Sequence, residues 1–309
     1  MIREMKDRYP RTSLSRLCRL LGITPQAYYQ HGWREQVESV EEELVLQEVL
    51  KVRARHRRMG GRKLYEMLEP FMLEHQIKMG RDALFGLLAS NHLLVRRKRR
   101  SVRTTQSHHW MRKHPNLIKE LVPQSPNEVW VSDITYLRIP KGFLYISLIT
   151  DAFSHKLMGY HIAESLESLE TIQALEMALQ QYEPAQKQLV HHSDRGAQYC
   201  SADYVKLLQD NGIGISMTQS GDPLENAVAE RINGIIKGEY MNLYQITNLA
   251  QGKQWLHQAV KLYNDERPHM SIGMLTPEKV HNNNIKTERL WKSKKYGKVI
   301  PAPHSACPT

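Results

Sequence analysis

At 309 residues, 41% apolar and 24% charged, the chain has an ordinary globular composition and is long enough for two or three domains. No apolar run approaches the roughly 18 residues that span a bilayer. The N-terminal MIREMKDRYP lacks the apolar core of a signal peptide, so a cytoplasmic protein with no membrane partner is expected. The three cysteines, Cys18, Cys200 and Cys307, are too scattered for a zinc site or a disulfide framework, and read as two buried apolar residues and a tail thiol.

The net charge of +11 is unevenly spread. Residues 1–120 carry 25 Lys/Arg against 13 Asp/Glu, whereas 121–309 carry 18 against 19. Positive charge concentrated in the N-terminal part predicts a polyanionic partner there, nucleic acid above all.

The first predicted element is helical. Leu14, Leu17, Leu20 and Leu21 recur at helical spacing and stop at Gly22. Thr24 and Pro25 then open a second helix, TPQAYYQH, with Thr24 as N-cap and Pro25 at the first helical position. Helix, glycine turn and helix make a helix-turn-helix unit over 1–35, with Gln26 and Tyr28 as base readers at the start of its second helix. A second helical DNA-binding unit is expected over 36–95. EEELVLQEVLKVRARHRR starts acidic and ends basic, in keeping with the helix dipole, then a helix runs to about Pro70 and another covers GRDALFGLLASNHLL. Arg62 and Lys63 are its phosphate contacts.

RRKRRSVRTTQSHHWMRK has no hydrophobic period and reads as a basic linker, 96–122, with Arg96, Arg97 and Lys98 lying along a DNA backbone. From residue 128 the pattern turns strand-like. EVWVSDITYL, GFLYISLITDAFS and KLMGYHIAE follow one another with turns at Lys141-Gly142 and Ser154-His155. SLESLETIQALEMALQQY is an amphipathic helix, QLVHHSD a fourth strand, SADYVKLLQDN a helix and GISM a fifth strand; a long helix then runs from about Leu224 to Met241. This order is that of an α/β ribonuclease H-like core, a mixed five-stranded sheet with helices, over 123–282, preceded by all-α units and followed by a basic tail, 283–309.

Three acids stand out. Asp133 lies in the first strand, Asp194 ends the fourth and Glu230 sits on the long helix. Carboxylates gathered on rigid elements hold hard divalent cations, and two such ions serve the attacking and leaving oxygens of phosphodiester transfer. If strands one and four are neighbours, the helix can set Glu230 across from both aspartates. Spacing alone leaves Asp222 and Glu225 as rivals to Glu230, while Asp151 and Asp203 suit a turn and a helix start. His192 and Arg195 flank Asp194, and either can touch phosphate or order the loop that Gly196 tightens.

WVSDITYL, HHSDRGAQY and ENAVAERINGIIKGEY resemble, in order, the acidic motifs of the DDE family, the catalytic core shared by retroviral integrases and bacterial insertion-sequence transposases. The 35 residues between Asp194 and Glu230, and YNDERPHMSIGMLTPEKV at Tyr263 to Val280, are similar to the insertion-sequence branch resembling integrases, in its second-reading-frame product. Glu225 stands where many members have Asp. The resemblance implies Asp133, Asp194 and Glu230 as catalytic and metal-holding residues, with two Mg²⁺ ions, or Mn²⁺, per active site. It implies a transposase that binds the inverted-repeat ends of its element, cleaves a strand and transfers it into target DNA. Lys237, Arg231 and Asn233, on the helix of Glu230, are expected to face DNA, the offsets of three and seven placing Asn233 and Lys237 with Glu230. Other implied partners are double-stranded DNA as transposon end and target, a second copy or higher homo-oligomer on DNA, and an upstream helix-turn-helix protein, separate or fused. The alternatives are a catalytically silent DNA-binding regulator and a ribonuclease H-like nuclease.

Overall fold

Alternating and continuous apolar runs from residue 129 onward build one sheet, because β-branched and aromatic side chains pack well on a pleated surface. The computed structural model describes residues 2–95, 111–119, 121–182, 188–219 and 226–287. Its five strands are β1 (Val129–Ile139), β2 (Gly142–Asp151), β3 (Leu157–Ala163), β4 (Val190–Ser193) and β5 (Gly214–Met217), in the spatial order β3-β2-β1-β4-β5. β2 and β3 are antiparallel, while β4 runs parallel to both β1 and β5. This is the mixed five-stranded ribonuclease H-like sheet read from the sequence.

The chain divides into two units, one formed by 1–106, 137–143 and 233–262, the other by 107–136, 144–232 and 263–309. In the second, α6 (Ser168–Gln180) and α7 (Ala202–Asp210) cover the sheet, and Trp130, Ile149, Met158, Leu175, Tyr204 and Met217 form its core. Gly159 lets α6 lie close on β3: a Cβ there would land on the Ala174 carbonyl oxygen and 2.9 Å from the Ala178 Cβ. Asp151 holds the β2–β3 turn, as its position suggested. Its Oδ1 accepts from the amide and hydroxyl of Ser154, both at 2.7 Å, and its Oδ2 from the Asn127 amide at 2.8 Å. His155, with φ +64, completes that turn. The Arg267-Pro268-His269 stretch folds inward, the Arg267 Nη1 lying 2.9 Å from the His269 Nε2 with Arg267 fully buried, which makes this pair part of the packing. Thr276 then caps α10 (Pro277–Asn283) by accepting from the Lys279 amide.

In the other unit, α1 (Ile2–Arg8), α2 (Leu14–Leu20) and the start of α3 (Pro25–Arg55) pack around Ile2, Leu17 and Cys18. Ser13 caps α2 and Thr24 caps α3, and Gly22 turns the chain between them at φ +69, a region closed to most side chains. The expected second and third helical segments are one continuous α3 of 31 residues, so the boundary drawn at residue 35 falls inside a helix. Gly32 lowers helix propensity by only about 1 kcal/mol, too little to break a helix continued by good formers on both sides. The helix expected to end near Pro70 is α4 (Gly61–Glu74), which runs through the proline. Its buried Leu64, Leu68 and Met72 pack with Val45, Val49 and Val52 of α3 and with Leu84, Leu87 and Leu88 of α5 (Arg81–Ser90), and that burial offsets the hydrogen bond that proline removes.

Past β5, the helix read as continuous to Met241 is α8 (Ala227–Ile235), followed by a π-helix over Ile236–Tyr240 and a 3₁₀ turn over Met241–Leu243. The π turn brings the Tyr240 hydroxyl 3.1 Å from the His56 Nδ1. Beyond it, Tyr244 stacks on Trp255 of α9 (Leu249–Asp265), with ring centroids 3.5 Å apart. Cys18 and Cys200 are both free and buried, as expected; Cys307 lies outside the described residues.

Candidate active site

Parallel pairing makes β1, which carries Asp133, the neighbour of β4, which Asp194 follows. Val131 is opposite His192; Asp133 stands two residues further along β1, and Asp194 immediately after the last residue of β4. Both are half-buried. Asp194 leaves the sheet at the end of β4, where its Oδ1 accepts from the Gly196 amide at 2.9 Å; the Asp133 Oδ1 accepts from the Ile134 amide at 2.9 Å. Residue 196 has little room for a side chain. A Cβ there would lie 3.0 Å from the Asp194 Oδ1 and 3.2 Å from the Gln198 Oε1.

The strands are tied together immediately before the two aspartates. Ser132 Oγ lies 2.7 Å and the Tyr204 hydroxyl 3.0 Å from the Nε2 of His191, so one buried imidazole joins β1, β4 and α7. Burial, then the neighbouring His192, lower the His191 pKa to about 3, so the ring is neutral and the tautomer sets whether its Nε2 donates or accepts between the two hydroxyls. His192 is also fully buried. Its Nδ1 lies 2.8 Å from the Ser216 Oγ, and that hydroxyl accepts from the Leu117 amide at 2.8 Å. It therefore ties β4 to β5 and is closed to phosphate, leaving Arg195, half-buried, as the flank of Asp194 nearer to solvent. The Tyr199 ring is buried beside this network, 5.4 Å from that of Tyr204. Burial raises its pKa well above the usual tyrosine value, and Tyr204, Asp194 and Asp133 add to the effect.

Glu230 comes from α8. Val228 and Ala229 in its first turn pack on Val129 and Val131 of β1, which sets the helix on the strand that carries Asp133. The Asn226 Nδ2 donates to the Ser132 carbonyl at 2.9 Å, fixing the start of α8 to the residue before Asp133. Glu230 itself is exposed on this helix. Among the described residues no three His, Cys, Asp or Glu side chains converge as a metal cluster. The rivals Asp222 and Glu225 lie outside the described residues.

The expected DNA contacts divide by burial. Arg231, Gln26 and Arg62 are exposed, the last two in the first turns of α3 and α4, and Lys63 and Lys237 are half-buried. Arg96, Arg97 and Lys98 lie outside the described residues. Two expectations need correction. Asn233 is only 5% exposed, because an offset of three along α8 carries it toward Ile232 and Ile236 on the buried side rather than onto an open face. Tyr28 is half-buried against the Ile2, Leu17 and Cys18 cluster and edge-on to Tyr29, so its ring belongs to the packing of the helix pair. The offset of seven that placed Lys237 with Glu230 assumed α-turns throughout, and the π-helix from Ile236 breaks that count.

Sequence reasoning gave no role to Ser132 or Tyr204, and Asn226 entered only through the Asn226-Ala227 motif ahead of Glu230. The signal of Ser132 and Asn226 was that of polar residues inside the apolar runs VWVSD and LENAVA, where a buried polar group demands a partner.

The integrase core domain family model matches residues 123–223, and a second integrase core domain model matches 211–277. The IS600 insertion-element 31 kDa protein of Shigella sonnei is 32% identical over 274 residues, covering 86% of this chain and 98% of its own. The transposase for insertion sequence element IS629 of the same organism is 30% identical over 268 residues, covering 84% and 88%. Among solved structures, the HTLV-2 integrase catalytic core domain in complex with magnesium gives a TM-score of 0.42 at 23% identity, over 51% of this chain and 97% of that one. The chain belongs to the insertion-sequence transposases that carry an integrase core domain. It is a DNA transposase of the DDE type, a polynucleotidyl transferase acting in DNA recombination and integration.

Proposed function

We propose that this transposase binds the inverted-repeat ends of its element and carries out metal-dependent strand cleavage and strand transfer at a site made of Asp133, Asp194 and Glu230. The observation that supports the reading is the parallel β1/β4 pair, with half-buried Asp133 on β1 and half-buried Asp194 just after the end of β4. The donor set fits a hard divalent cation. Both aspartates offer carboxylate oxygen, and Glu230, exposed on a helix docked to β1, is free of the packing that would hold it from a third ligand position. Mg²⁺ or Mn²⁺, as two ions, would stabilise charge on the attacking and leaving oxygens of an in-line displacement. The chain's own part is to hold the carboxylates at fixed spacing and to place DNA.

Arg195 and Arg231 adjoin Asp194 and Glu230 along the chain and Lys237 follows Glu230 by seven residues, and Gln26, Arg62 and Lys63, with Arg96, Arg97 and Lys98, extend the contact into the basic N-terminal part. Phosphate contacts of this kind fix register and make binding salt-dependent. Joining two ends calls for more than one copy, and an upstream helix-turn-helix partner, separate or fused, belongs to the same reading. Among the described residues no helix is long and apolar enough to cross a membrane, and a DNA substrate places the protein in the bacterial cytoplasm, at the nucleoid.

The test is strand cleavage of end-containing duplex by Asp133→Asn, Asp194→Asn and Glu230→Gln, beside end binding. The expected result is loss of cleavage by at least a hundredfold with binding kept within a few fold, and loss of wild-type cleavage on chelation. Near wild-type cleavage by any one variant removes that residue from the site.

A further inference from the structure

The 31-residue α3 serves two small cores and leaves five apolar side chains exposed between them. At its start Tyr28 packs with Ile2, Leu17 and Cys18; in its last turns Val45, Val49 and Val52 pack with α4 and α5. Between them Tyr29, Trp33, Val37, Val40 and Leu44 are 54%, 67%, 57%, 61% and 38% exposed. At about 100° per residue these five fall within an arc of about 80°, a single stripe along the helix. The same count turns Val45, Val49 and Val52 roughly 130° away, so the stripe is not an extension of the face that the chain's own core covers.

We propose that this stripe is a dimer interface, and that its occupant is the same stripe of α3 in a second copy of the chain, lying antiparallel. Trp33, Val37, Val40 and Leu44 are spaced four, three and four residues apart, which is the d-a-d-a interval of a two-stranded coiled coil, and a helix of the same period is what fits it. A two-fold axis between Val37 and Val40 puts each of these against the other, and the large Trp33 against Leu44, so the stripe is complementary to itself as an isologous contact requires.

Charge decides the orientation. Glu41 and Glu43 flank the stripe, and in a parallel pair Glu43 would face Glu48 of the partner strand, like against like. The acidic run Glu41 to Glu43 also turns DNA away from this part of a basic unit. Area agrees with a pair of copies. Two aromatic and three aliphatic side chains at these exposures amount to on the order of 500 Å² per copy, and two copies reach the roughly 1,000 Å² at which specific interfaces begin. The inference does not rest on the catalytic reading above, since the pair forms without DNA or metal.

The experiment is sedimentation and light scattering of the full-length chain without DNA, for wild type, for Val37→Glu with Val40→Glu, and for Glu42→Gln as a control on the same helix. Circular dichroism and thermal unfolding run alongside. The expected result is a concentration-dependent dimer for wild type and Glu42→Gln, and a doubly substituted chain that stays monomeric with an unchanged helical signal, because neither valine packs in the chain's own cores. Orientation is read by mixing Trp33→Cys with Leu44→Cys chains, where an antiparallel pair gives the mixed disulfide in preference to either self-linked species. A monomeric wild type, whatever else then covers the stripe, overturns the proposal. So does a doubly substituted chain that dimerises as wild type does, and a preference for self-linked species overturns the antiparallel arrangement.

Discussion

The Asn226 side chain donates to the Ser132 carbonyl at 2.9 Å, across 94 residues of chain, so the strand of Asp133 and the helix of Glu230 meet through one buried amide. Asn226 stands four residues ahead of Glu230, and Ser132 immediately before Asp133. Replacement by alanine removes the donor from a buried carbonyl, a loss of about 1–3 kcal/mol. Asn226→Ala is therefore expected to lower the unfolding temperature by a few degrees and to slow strand cleavage roughly tenfold or more, with DNA-end binding little changed. Asn226→Asp, which turns an acceptor toward the carbonyl, is expected to be worse in both. Paired calorimetry and cleavage rates check this; a variant that unfolds earlier but cleaves at full rate would mean that the bond serves stability alone.

Gly196 keeps the Asp194 carboxylate in place. A methyl group there would press on the Asp194 Oδ1 and Gln198 Oε1 from 3.0 and 3.2 Å, so the carboxylate or the turn must shift by a few tenths of an ångström. A misplaced reacting group costs activity steeply, on the order of a hundredfold for 1 Å. Gly196→Ala is expected to cut cleavage roughly tenfold while moving the unfolding temperature little, as measured by single-turnover rates beside thermal scans.

Stability should fall with acidity through His191. Its folded pKa of about 3 lies below the unfolded value of 6.5, so the unfolded chain binds the proton first. The stabilisation is complete above pH 6.5 and is lost as pH falls toward 3, at roughly 1 kcal/mol per pH unit. Denaturant midpoints between pH 7 and 4 should show this slope, and His191→Gln, which does not titrate there, should flatten it while starting from a lower stability. An equal slope in the variant would assign the pH dependence to other groups.

Gly159→Ala is expected to be among the more disruptive single-methyl changes in the sheet. The added Cβ meets the Ala174 carbonyl of α6, which is backbone and cannot turn aside, so the helix must move off β3. Overpacking of this kind costs typically 1–3 kcal/mol, and a backbone clash belongs at the upper end. The drop in denaturant midpoint measures it, with cleavage at permissive temperature retained.

Much of this protein was legible one residue at a time. Short β-rich apolar runs bounded by turn residues identified all five strands, and Thr24 announced a helix start through a hydroxyl that accepts a first free amide. The acids Asp133 and Asp194 stood out as charges at strand positions, where a carboxylate is rare without a task.

Tertiary structure decided the rest, since it depends on energies that no local pattern carries. Pro70 stays helical because distant side chains bury the face on which α4 rests, and Gly32 because α3 is anchored by packing on either side of it, at Tyr28 and from Val45 onward. Asn233 turns inward, and Lys237 falls on a π-helix whose different twist no heptad count could register. The sequence alone determined which elements form and which acids could hold a cation, because propensity and pattern are properties of short segments. Only the fold decided that β1 and β4 are neighbours, that His191 and Asn226 brace the acids they precede, and that one face of α3 is left bare. Those are contacts between residues tens of positions apart, and their energy exists only once the chain has closed on itself.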